Sequence, residues 1–202
     1  DLGEQLTYGD LVDLRGKLAT VLPERELVFC LCENRVGALA GFLSLYDCKD
    51  VCLLLSAHID KALLKVLDET YGPSYYWMPE AMVEESVYEK VYEYKGFVLC
   101  KTGKKAPALH PDLSMLMTTS GTTGSPKLVR HSYRNIEANA DNVRRLCKLD
   151  GTEKAKAILP MHYTMGLSVI ASHLLAGATL LLSARSLLDK GFWAMLKEAT
   201  SF

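Results

Sequence analysis

Apolar residues follow two different spacings along the first part of the chain. Within residues 11–22, leucines and valines recur every three or four positions, which predicts an amphipathic helix that ends before Pro23. Thr7 and Asp10 stand where the two members of a capping box would, so the helix is expected to begin beside them. Residues 26–32 (ELVFCLC) are almost continuously apolar, a pattern typical of a strand that is buried on both faces.

The alternation of helix and strand continues beyond this first pair. A helix, a strand and a further helix are predicted at residues 35–46, 51–55 and 60–71. Gly72 is expected to close the last of them. Elements that alternate in this way form right-handed β-α-β crossovers, so the predicted fold class is α/β, with a mostly parallel sheet and helices on both faces. Aromatic and β-branched residues then surround Lys95 and Gly96 within 87–101, which predicts an antiparallel hairpin.

The second half of the chain shows the same rhythm. Between residues 101 and 111, three lysines, one glycine and two prolines predict a linker or surface loop, and a boundary between subdomains near this segment is one interpretation. A strand at 113–118, a glycine- and hydroxyl-rich segment, and a helix at 132–148 follow. The last predicted elements are a strand, a helix, a strand and a helix at residues 155–159, 165–176, 178–182 and 187–199.

The composition and net charge of the chain limit the kinds of partner that it is expected to bind. With 49% hydrophobic and 23% charged residues, the 202-residue chain resembles a soluble globular protein of one or two domains. Its formal net charge of −1 creates no field that would attract nucleic acid or an anionic membrane, so neither partner is expected. Residues 157–184 contain no Asp, Glu, Lys or Arg, and this stretch exceeds the ~20 residues that a bilayer requires. Because Pro160 and Gly177 divide it, a buried strand, helix and strand are predicted instead of a membrane span.

The six cysteines are scattered through apolar segments without the spacing of metal ligands. We therefore expect free and mostly buried thiols, and no metal site made by protein side chains. No positively charged and then apolar leader precedes the first predicted helix, so a cytoplasmic location is expected.

Residues 118–127 (TTSGTTGSPK) carry the most specific chemistry of the chain. Gly121 and Gly124 can adopt backbone conformations that turn N–H groups toward an anion. The hydroxyl groups of Ser120, Thr122, Thr123 and Ser125 can donate to phosphate oxygens. Lys127 adds a positive charge with no acid nearby. A polyphosphate is the ligand that these groups suit. The alternative is a surface turn, which glycine and serine also favour.

A nucleotide-hydrolase P-loop is the nearest competing motif. It requires two glycines separated by four residues and a lysine followed by Ser or Thr. Here Gly121 and Gly124 are three positions apart, and Leu128 follows the lysine. Pro126 also lacks the N–H group that such a loop would donate. The segment therefore does not match a P-loop.

Residues 119–127 resemble the signature phosphate loop of the adenylate-forming (AMP-binding) superfamily, which includes acyl- and aryl-CoA ligases. The similarity extends to residues 6–22, to 130–135 after the loop, and to the Pro-x-His-x-x-x-Gly motif within 159–166, and so covers nearly the whole chain. Leu128 is a departure, because the family usually has Gly at this position. The resemblance implies the fold of the N-terminal part of these ligases.

The resemblance also implies an activity. Enzymes of this superfamily join a carboxylic acid to the α-phosphate of ATP, release pyrophosphate, and often transfer the acyl group to the thiol of CoA or an acyl carrier protein, with Mg²⁺ as helper. By resemblance, the ATP phosphates are held by Thr119, Ser120, Gly121, Thr122, Thr123, Gly124, Ser125, Pro126 and Lys127. His162 is implied as a catalytic residue that lines the acid pocket, and Tyr163 as its neighbouring wall. The alternative for His162 is an ordinary polar residue at the end of a strand.

The resemblance also bears on the class of substrate and on how much of the family's fold the chain contains. Residues 158–172 contain no acid, whereas peptide-synthetase domains usually carry an aspartate here for the substrate amine, so an acyl or aryl acid is expected. The family has longer chains, whose adenine-binding motifs and C-terminal lysine are absent here. We therefore expect residues 1–202 to be a partial N-terminal domain that is inactive alone and self-associates. The alternative is a short non-catalytic pseudo-enzyme or interaction module with a vestigial phosphate loop.

Overall fold

The computed structural model describes residues 3–84, 88–105, 107–118, 127–183, 185, 188–197 and 199–201. The chain forms two compact units. The sheet unit comprises the described residues of Gln5–Cys32 and Val36–Ser132. The motif unit comprises those of Asp1–Glu4, Glu33–Arg35 and Tyr133–Phe202.

A seven-stranded sheet forms the centre of the sheet unit. Its strands are β1 (Leu27–Cys32), β2 (Val51–Ser56), β3 (Tyr75–Pro79), β4 (Glu89–Tyr94), β5 (Phe97–Lys101), β6 (Leu113–Thr118) and β7 (Leu128–Ser132). They lie in the order β4-β5-β3-β1-β2-β6-β7. The inner strands β3, β1, β2 and β6 are parallel to one another, while β5 pairs antiparallel with β3, β4 with β5, and β7 with β6. The sheet is therefore parallel at its centre and antiparallel toward both edges.

Helices cover both faces of this sheet. The helices of the unit are α1 (Tyr8–Val21), α2 (Val36–Asp47) and α3 (Lys61–Tyr71), with a short 3-10 helix at Glu80–Met82. Trp77 Nε1 donates to the Gly37 carbonyl of α2 at 3.1 Å, whereas the hydroxyl of Tyr76 donates to Asp68 of α3 at 2.9 Å. Because neighbouring residues of a strand point to opposite faces, α2 and α3 lie on opposite sides of β3. The predicted α/β class with helices on both faces is confirmed.

The helix ends of the sheet unit follow the predicted capping residues. Thr7 and Asp10 form the full capping box at the start of α1, with each side chain accepting from the other residue's backbone N–H. Gly72 closes α3 at φ 57°, a left-handed conformation that glycine adopts without steric cost. The antiparallel hairpin around Lys95 and Gly96 is also present as β4 and β5.

Two strands of the sheet unit were absent from the sequence prediction. β7 is an edge strand whose residues are exposed or half-buried and include Arg130 and His131. Because it lacks an apolar run, the sequence predicted a helix directly after the loop. The resemblance assigned residues 130–135 to that helix, whereas the helix begins at Tyr133. β3 consists of five buried residues, three of them aromatic, in a segment for which no element was predicted.

Within its described residues, the motif unit contains three helices and two strands, which were largely predicted. Its elements are α4 (Tyr133–Leu146), β8 (Lys154–Ala157), α5 (Thr164–Leu175), β9 (Thr179–Leu182) and α6 (Lys190–Leu196). β8 and β9 are parallel neighbours, and α5 packs against both of them and against α4. α6 is shorter than the predicted helix at 187–199. Within the part of the chain that the structure describes, no helix has both the length and the apolar character to cross a membrane.

The cysteine prediction holds for most of the chain. All six thiols are free. Those of Cys30, Cys32, Cys52 and Cys100 are buried in β-strands, whereas Cys147 is exposed. Burial raises the pKa of the Cys30 thiol well above its ordinary value, so this thiol stays protonated and inert at neutral pH.

Candidate functional site

The predicted phosphate segment begins and ends at two neighbouring strands. Thr118 ends β6 and Leu128 begins β7, and the two residues are register partners in the antiparallel pair. The chain therefore leaves the sheet at β6 and returns beside the same point. The predicted phosphate-binding residues 119–126 lie outside the described residues, whereas Lys127 is described and exposed directly before β7.

The place of this segment in the sheet favours a ligand site. β6 is parallel to β2, with Met115 opposite Cys52, so the segment follows the carboxyl end of a parallel strand. In open α/β sheets, ligands bind outside the carboxyl ends of the strands. The antiparallel return through β7 differs from a P-loop, in which the glycine-rich turn opens a helix.

The charge around the segment suits an anion. Residues 113–136 contain no Asp or Glu, while Lys127, Arg130 and Arg134 each carry a positive charge. The described side chains of these three residues are exposed. Hydroxyl and amide donors together with cations fit the oxygens of a polyphosphate. Among the described residues, no group of three His, Cys, Asp or Glu side chains is arranged to hold a metal ion.

The predicted pocket residues His162 and Tyr163 lie together between β8 and α5. Their ring centroids are 4.5 Å apart, with the planes inclined at 45°. His162 is half-buried, and its buried Nδ1 has no hydrogen-bond partner among the described residues. Burial lowers the pKa of His162 below its ordinary value, so the ring is neutral at pH 7. A neutral imidazole with one unsatisfied nitrogen is able to bind a polar group of a ligand.

Gly166 allows α5 to begin close to the backbone that precedes His162. The last residue of the Pro-x-His-x-x-x-Gly motif, Gly166, lies in the first turn of α5. A Cβ atom at this position would lie 2.3 Å from the Pro160 carbonyl oxygen and 2.8 Å from that of Leu159. The missing side chain therefore lets α5 approach the backbone that precedes His162.

Asn34 holds the same backbone and was missed by the sequence analysis. Its Nδ2 donates to the carbonyls of Ala157 and Leu159, at 3.2 Å each, and its Oδ1 accepts from Met161 N–H at 3.3 Å. These contacts join residues separated by more than one hundred positions in the chain. The sequence signal was a single asparagine two residues after a buried strand, which resembles many ordinary turn residues.

His131 is a further histidine close to the phosphate segment in sequence. It lies in β7, opposite Met115 of β6, and its backbone carbonyl accepts from the hydroxyl of Ser114 at 2.9 Å. Its Nε2 is buried without a hydrogen-bond partner in the described part of the chain, and burial lowers the pKa of the ring. The sequence analysis did not single out this histidine, because its strand was not recognised.

A family model described as AMP-binding enzyme matches residues 1–201. The chain belongs to the AMP-binding enzyme family. This assignment confirms the resemblance seen in the sequence. The match spans both the strand pair that flanks the phosphate segment and the motif that carries His162.

Curated AMP-binding relatives include two kinds of CoA ligase. The sulfoacetate–CoA ligase of Cupriavidus necator is 34% identical over 106 residues, which are 46% of this chain and 21% of that enzyme. The 2-succinylbenzoate–CoA ligase of Staphylococcus aureus is 34% identical over 68 residues, which are 34% of this chain and 14% of that enzyme. The similarity to each ligase therefore covers only a part of both chains.

Solved structures share the fold over nearly the whole chain. Apo MatB from Rhodopseudomonas palustris superposes with a TM-score of 0.78 at 19% identity, covering 98% of this chain and 44% of that one. The O-succinylbenzoate coenzyme A synthetase (MenE) from Bacillus subtilis, in complex with ATP and magnesium ion, gives 0.74 at 16% identity, covering 96% and 55%. The chain thus has the fold of AMP-binding enzymes and spans about half the length of these two.

Proposed function

We propose that the protein takes part in the ATP-dependent activation of a carboxylic acid, as the phosphate- and acid-binding portion of an AMP-forming acid–thiol ligase. The observation that carries this proposal is the donor-rich, acid-free segment at the carboxyl end of β6, in a chain of the AMP-binding family. A cytoplasmic location, where ATP and CoA are available, belongs to the same proposal.

The phosphate segment would act on the leaving group. The acid carboxylate attacks the α-phosphorus, a new oxygen–phosphorus bond forms, and the bond to the β-phosphate oxygen breaks to release pyrophosphate. Negative charge therefore grows on the departing oxygen. Residues 119–125 would donate hydrogen bonds to that charge, and Lys127 would balance part of it electrostatically. Mg²⁺ bound with the nucleotide would supply further charge neutralisation.

The neutral His162 ring would contribute to the acid pocket. A neutral imidazole can donate one N–H bond to a carboxylate without trapping it in a strong ion pair, which leaves the carboxylate nucleophilic. Tyr163, which is 58% exposed, would form an apolar wall beside it. Because no acidic side chain lies within residues 158–172, we propose an acyl or aryl acid without an amino group as the substrate class.

The thiol acceptor is proposed from the relatives. Both curated relatives named above are CoA ligases, so CoA, or the equivalent thiol of an acyl carrier protein, would receive the acyl group. The matched solved chains are about twice as long as this one. We therefore propose that the complete reaction needs the portion of the fold that lies outside the present 202 residues.

Calorimetric titration with pyrophosphate tests the phosphate assignment on the chain itself. We expect a dissociation constant of ~mM order, equivalent to about −4 kcal/mol, since the remaining nucleotide contacts are not part of this segment. Lys127→Ala is expected to weaken binding about tenfold, because it removes the cation at the end of the segment.

Lys105→Ala is the matched control, because it removes an exposed lysine from the 101–111 segment without touching β6 or β7. Thr123→Ala provides a second variant within the segment. Pyrophosphate binding that is equally strong in Lys127→Ala, Thr123→Ala and the control would contradict the phosphate assignment.

A further inference from the structure

The backbone that leads to His162 is fixed by a single side chain from a distant part of the sequence. Asn34 makes three hydrogen bonds to it, donating to the carbonyls of Ala157 and Leu159 and accepting from Met161 N–H. Ala157 ends β8, and Met161 directly precedes His162. Every second residue from Ala157 to Met161 thus has a backbone group held by the same amide.

Only an asparagine-like group satisfies this arrangement. The two carbonyls require a donor, and the Met161 N–H requires an acceptor. A carboxylate would place an oxygen against the carbonyls, and an alkyl side chain would leave all three backbone groups without this partner. Glu33 and Arg35, the charged neighbours of Asn34, pair with each other at 3.5 Å and leave the amide as the group that faces the backbone.

The same backbone is also held by α5. Gly166 approaches the Leu159 and Pro160 carbonyls too closely for a Cβ atom, and Tyr163 N–H donates to the Pro160 carbonyl at 3.0 Å. The backbone between β8 and α5 is therefore held both by the Asn34 amide and by the first turn of a helix. A shift of this backbone would move the His162 ring with it.

We propose that Asn34 is a positioning residue, which sets the His162 imidazole in its half-buried place so that the ring can meet the carboxylate of the acid substrate. The substrate part of this proposal rests on the proposed function. The hold of Asn34 on His162 is independent of it, because the three hydrogen bonds join groups of the chain itself.

The test compares wild type with Asn34→Ala by NMR of the 202-residue chain. The imidazole Cε1–H signals of the five histidines are followed as a function of pH, and His162→Gln identifies the signal of His162. In Asn34→Ala we expect the pKa of His162 to rise toward its ordinary value, because the loosened backbone exposes the ring to water. Amide exchange of Met161 is expected to accelerate about tenfold, relative to amides in the middle of α5, through loss of its acceptor.

Asn139→Ala is the matched control. It removes the bond in which Asn139 Oδ1 accepts from the Ser168 hydroxyl at 2.9 Å, between α4 and α5 of the same unit. The control should lower the stability of the unit and leave the pKa of His162 unchanged. Asn34→Ala would behave in the same way if the role of Asn34 were purely structural. Asn34→Ser, which is neutral and keeps one hydroxyl donor, provides the measurement where Asn34→Ala does not fold, and its expected His162 pKa lies between wild type and free histidine.

Benzoate, used as a simple aryl acid, separates the two parts of the proposal. We expect it to shift the His162 signal in wild type and in Asn139→Ala, and at least about tenfold more weakly in Asn34→Ala. An unchanged His162 titration in both Asn34 variants overturns the positioning role, whether or not benzoate binds. In another outcome, benzoate leaves the His162 signal of wild type unchanged although Asn34→Ala raises the pKa of His162. That result overturns the carboxylate role and, with it, the acid-binding part of the proposed function.

Discussion

Asp50, at the start of β2, shows how burial of one side chain sets the pH dependence of stability. Its Oδ1 accepts from Glu26 N–H at 2.9 Å, and its buried Oδ2 has no hydrogen-bond partner among the described residues. Desolvation raises the pKa of Asp50 from 3.8 to about 7, with the Glu26 carboxylate adding to the effect. The backbone hydrogen bond and the Arg25 guanidinium oppose it. The folded protein therefore binds this proton more tightly than the unfolded chain does.

Replacement of Asp50 with asparagine should remove this pH dependence. In wild type, the contribution of Asp50 to the unfolding free energy is complete below pH 3.8 and is lost as the pH rises to about 7. The loss amounts to a few kcal/mol, because one pKa unit corresponds to about 1.4 kcal/mol. In Asp50→Asn, the unfolding free energy measured by urea denaturation should no longer decrease in this way as the pH rises. Asp47→Asn, an exposed carboxylate three residues away, should retain it. Equal slopes in all three proteins would refute the assignment.

At the residue scale, the sequence was informative where chemistry is local. The glycine, hydroxyl and lysine pattern of 118–127 and the motif with His162 were recognised directly, because each carries its chemistry within a few positions. Asn34 was not, because its three partners lie more than one hundred residues away. The reason for Gly166 also became clear only when its distance to the Pro160 carbonyl was known.

At the scale of elements, helix α2 lies close against the sheet because two of its residues have no side chain. A Cβ atom at Gly41 would lie 2.0 Å from Trp77 Cε2, and one at Gly37 would lie 2.5 Å from the Lys95 carbonyl oxygen. Trp77 is 1% exposed and hydrogen-bonded to α2, so its ring cannot move aside cheaply.

Gly41→Ala is therefore expected to destabilise the sheet unit by about 1–3 kcal/mol, the usual cost of overpacking a core. Gly16→Ala in α1 is the matched control, because a Cβ atom there meets nothing within 4 Å. Alanine in that helix should stabilise by about 0.5–1 kcal/mol. Chemical denaturation of both variants measures the difference, and a Gly41→Ala protein as stable as Gly16→Ala would contradict the packing argument.

Complete burial made β1 and β2 predictable, although β3 is equally buried and was not predicted, and partial burial left β7 without a recognisable pattern. β1 and β2 are buried on both faces along almost their full length and were predicted from their continuous apolar runs. β7 pairs on one side only and is largely exposed, so its residues show neither a continuous nor a clearly alternating apolar pattern. Its pairing with β6 is a tertiary contact that local propensity does not encode.

At the scale of the whole molecule, large apolar side chains remain exposed in both units. Leu146 is 84% exposed and Met165 64% in the motif unit, and Val12 is 69% exposed in the sheet unit. Matched AMP-binding structures have about twice the length of this chain, which offers a source of cover for such surfaces in those proteins.

Self-association of the 202-residue chain is the expected result. In sedimentation velocity, the weight-average sedimentation coefficient should increase with protein concentration. Leu146→Gln combined with Met165→Gln should reduce this increase, because both changes remove exposed apolar surface. Lys65→Gln, an exposed change on α3 that removes no apolar side chain, serves as the control. A wild-type chain that stays monomeric at all concentrations would rule out this prediction.

The burial of Trp77 against α2 has an optical consequence. The second tryptophan, Trp193 on α6, is 53% exposed and belongs to the other unit. Dissolved iodide should quench the fluorescence of Trp193 while leaving that of Trp77 bright and blue-shifted. The chain thus carries one tryptophan in each unit, and the order in which the two units melt can be recorded from a single unlabelled sample.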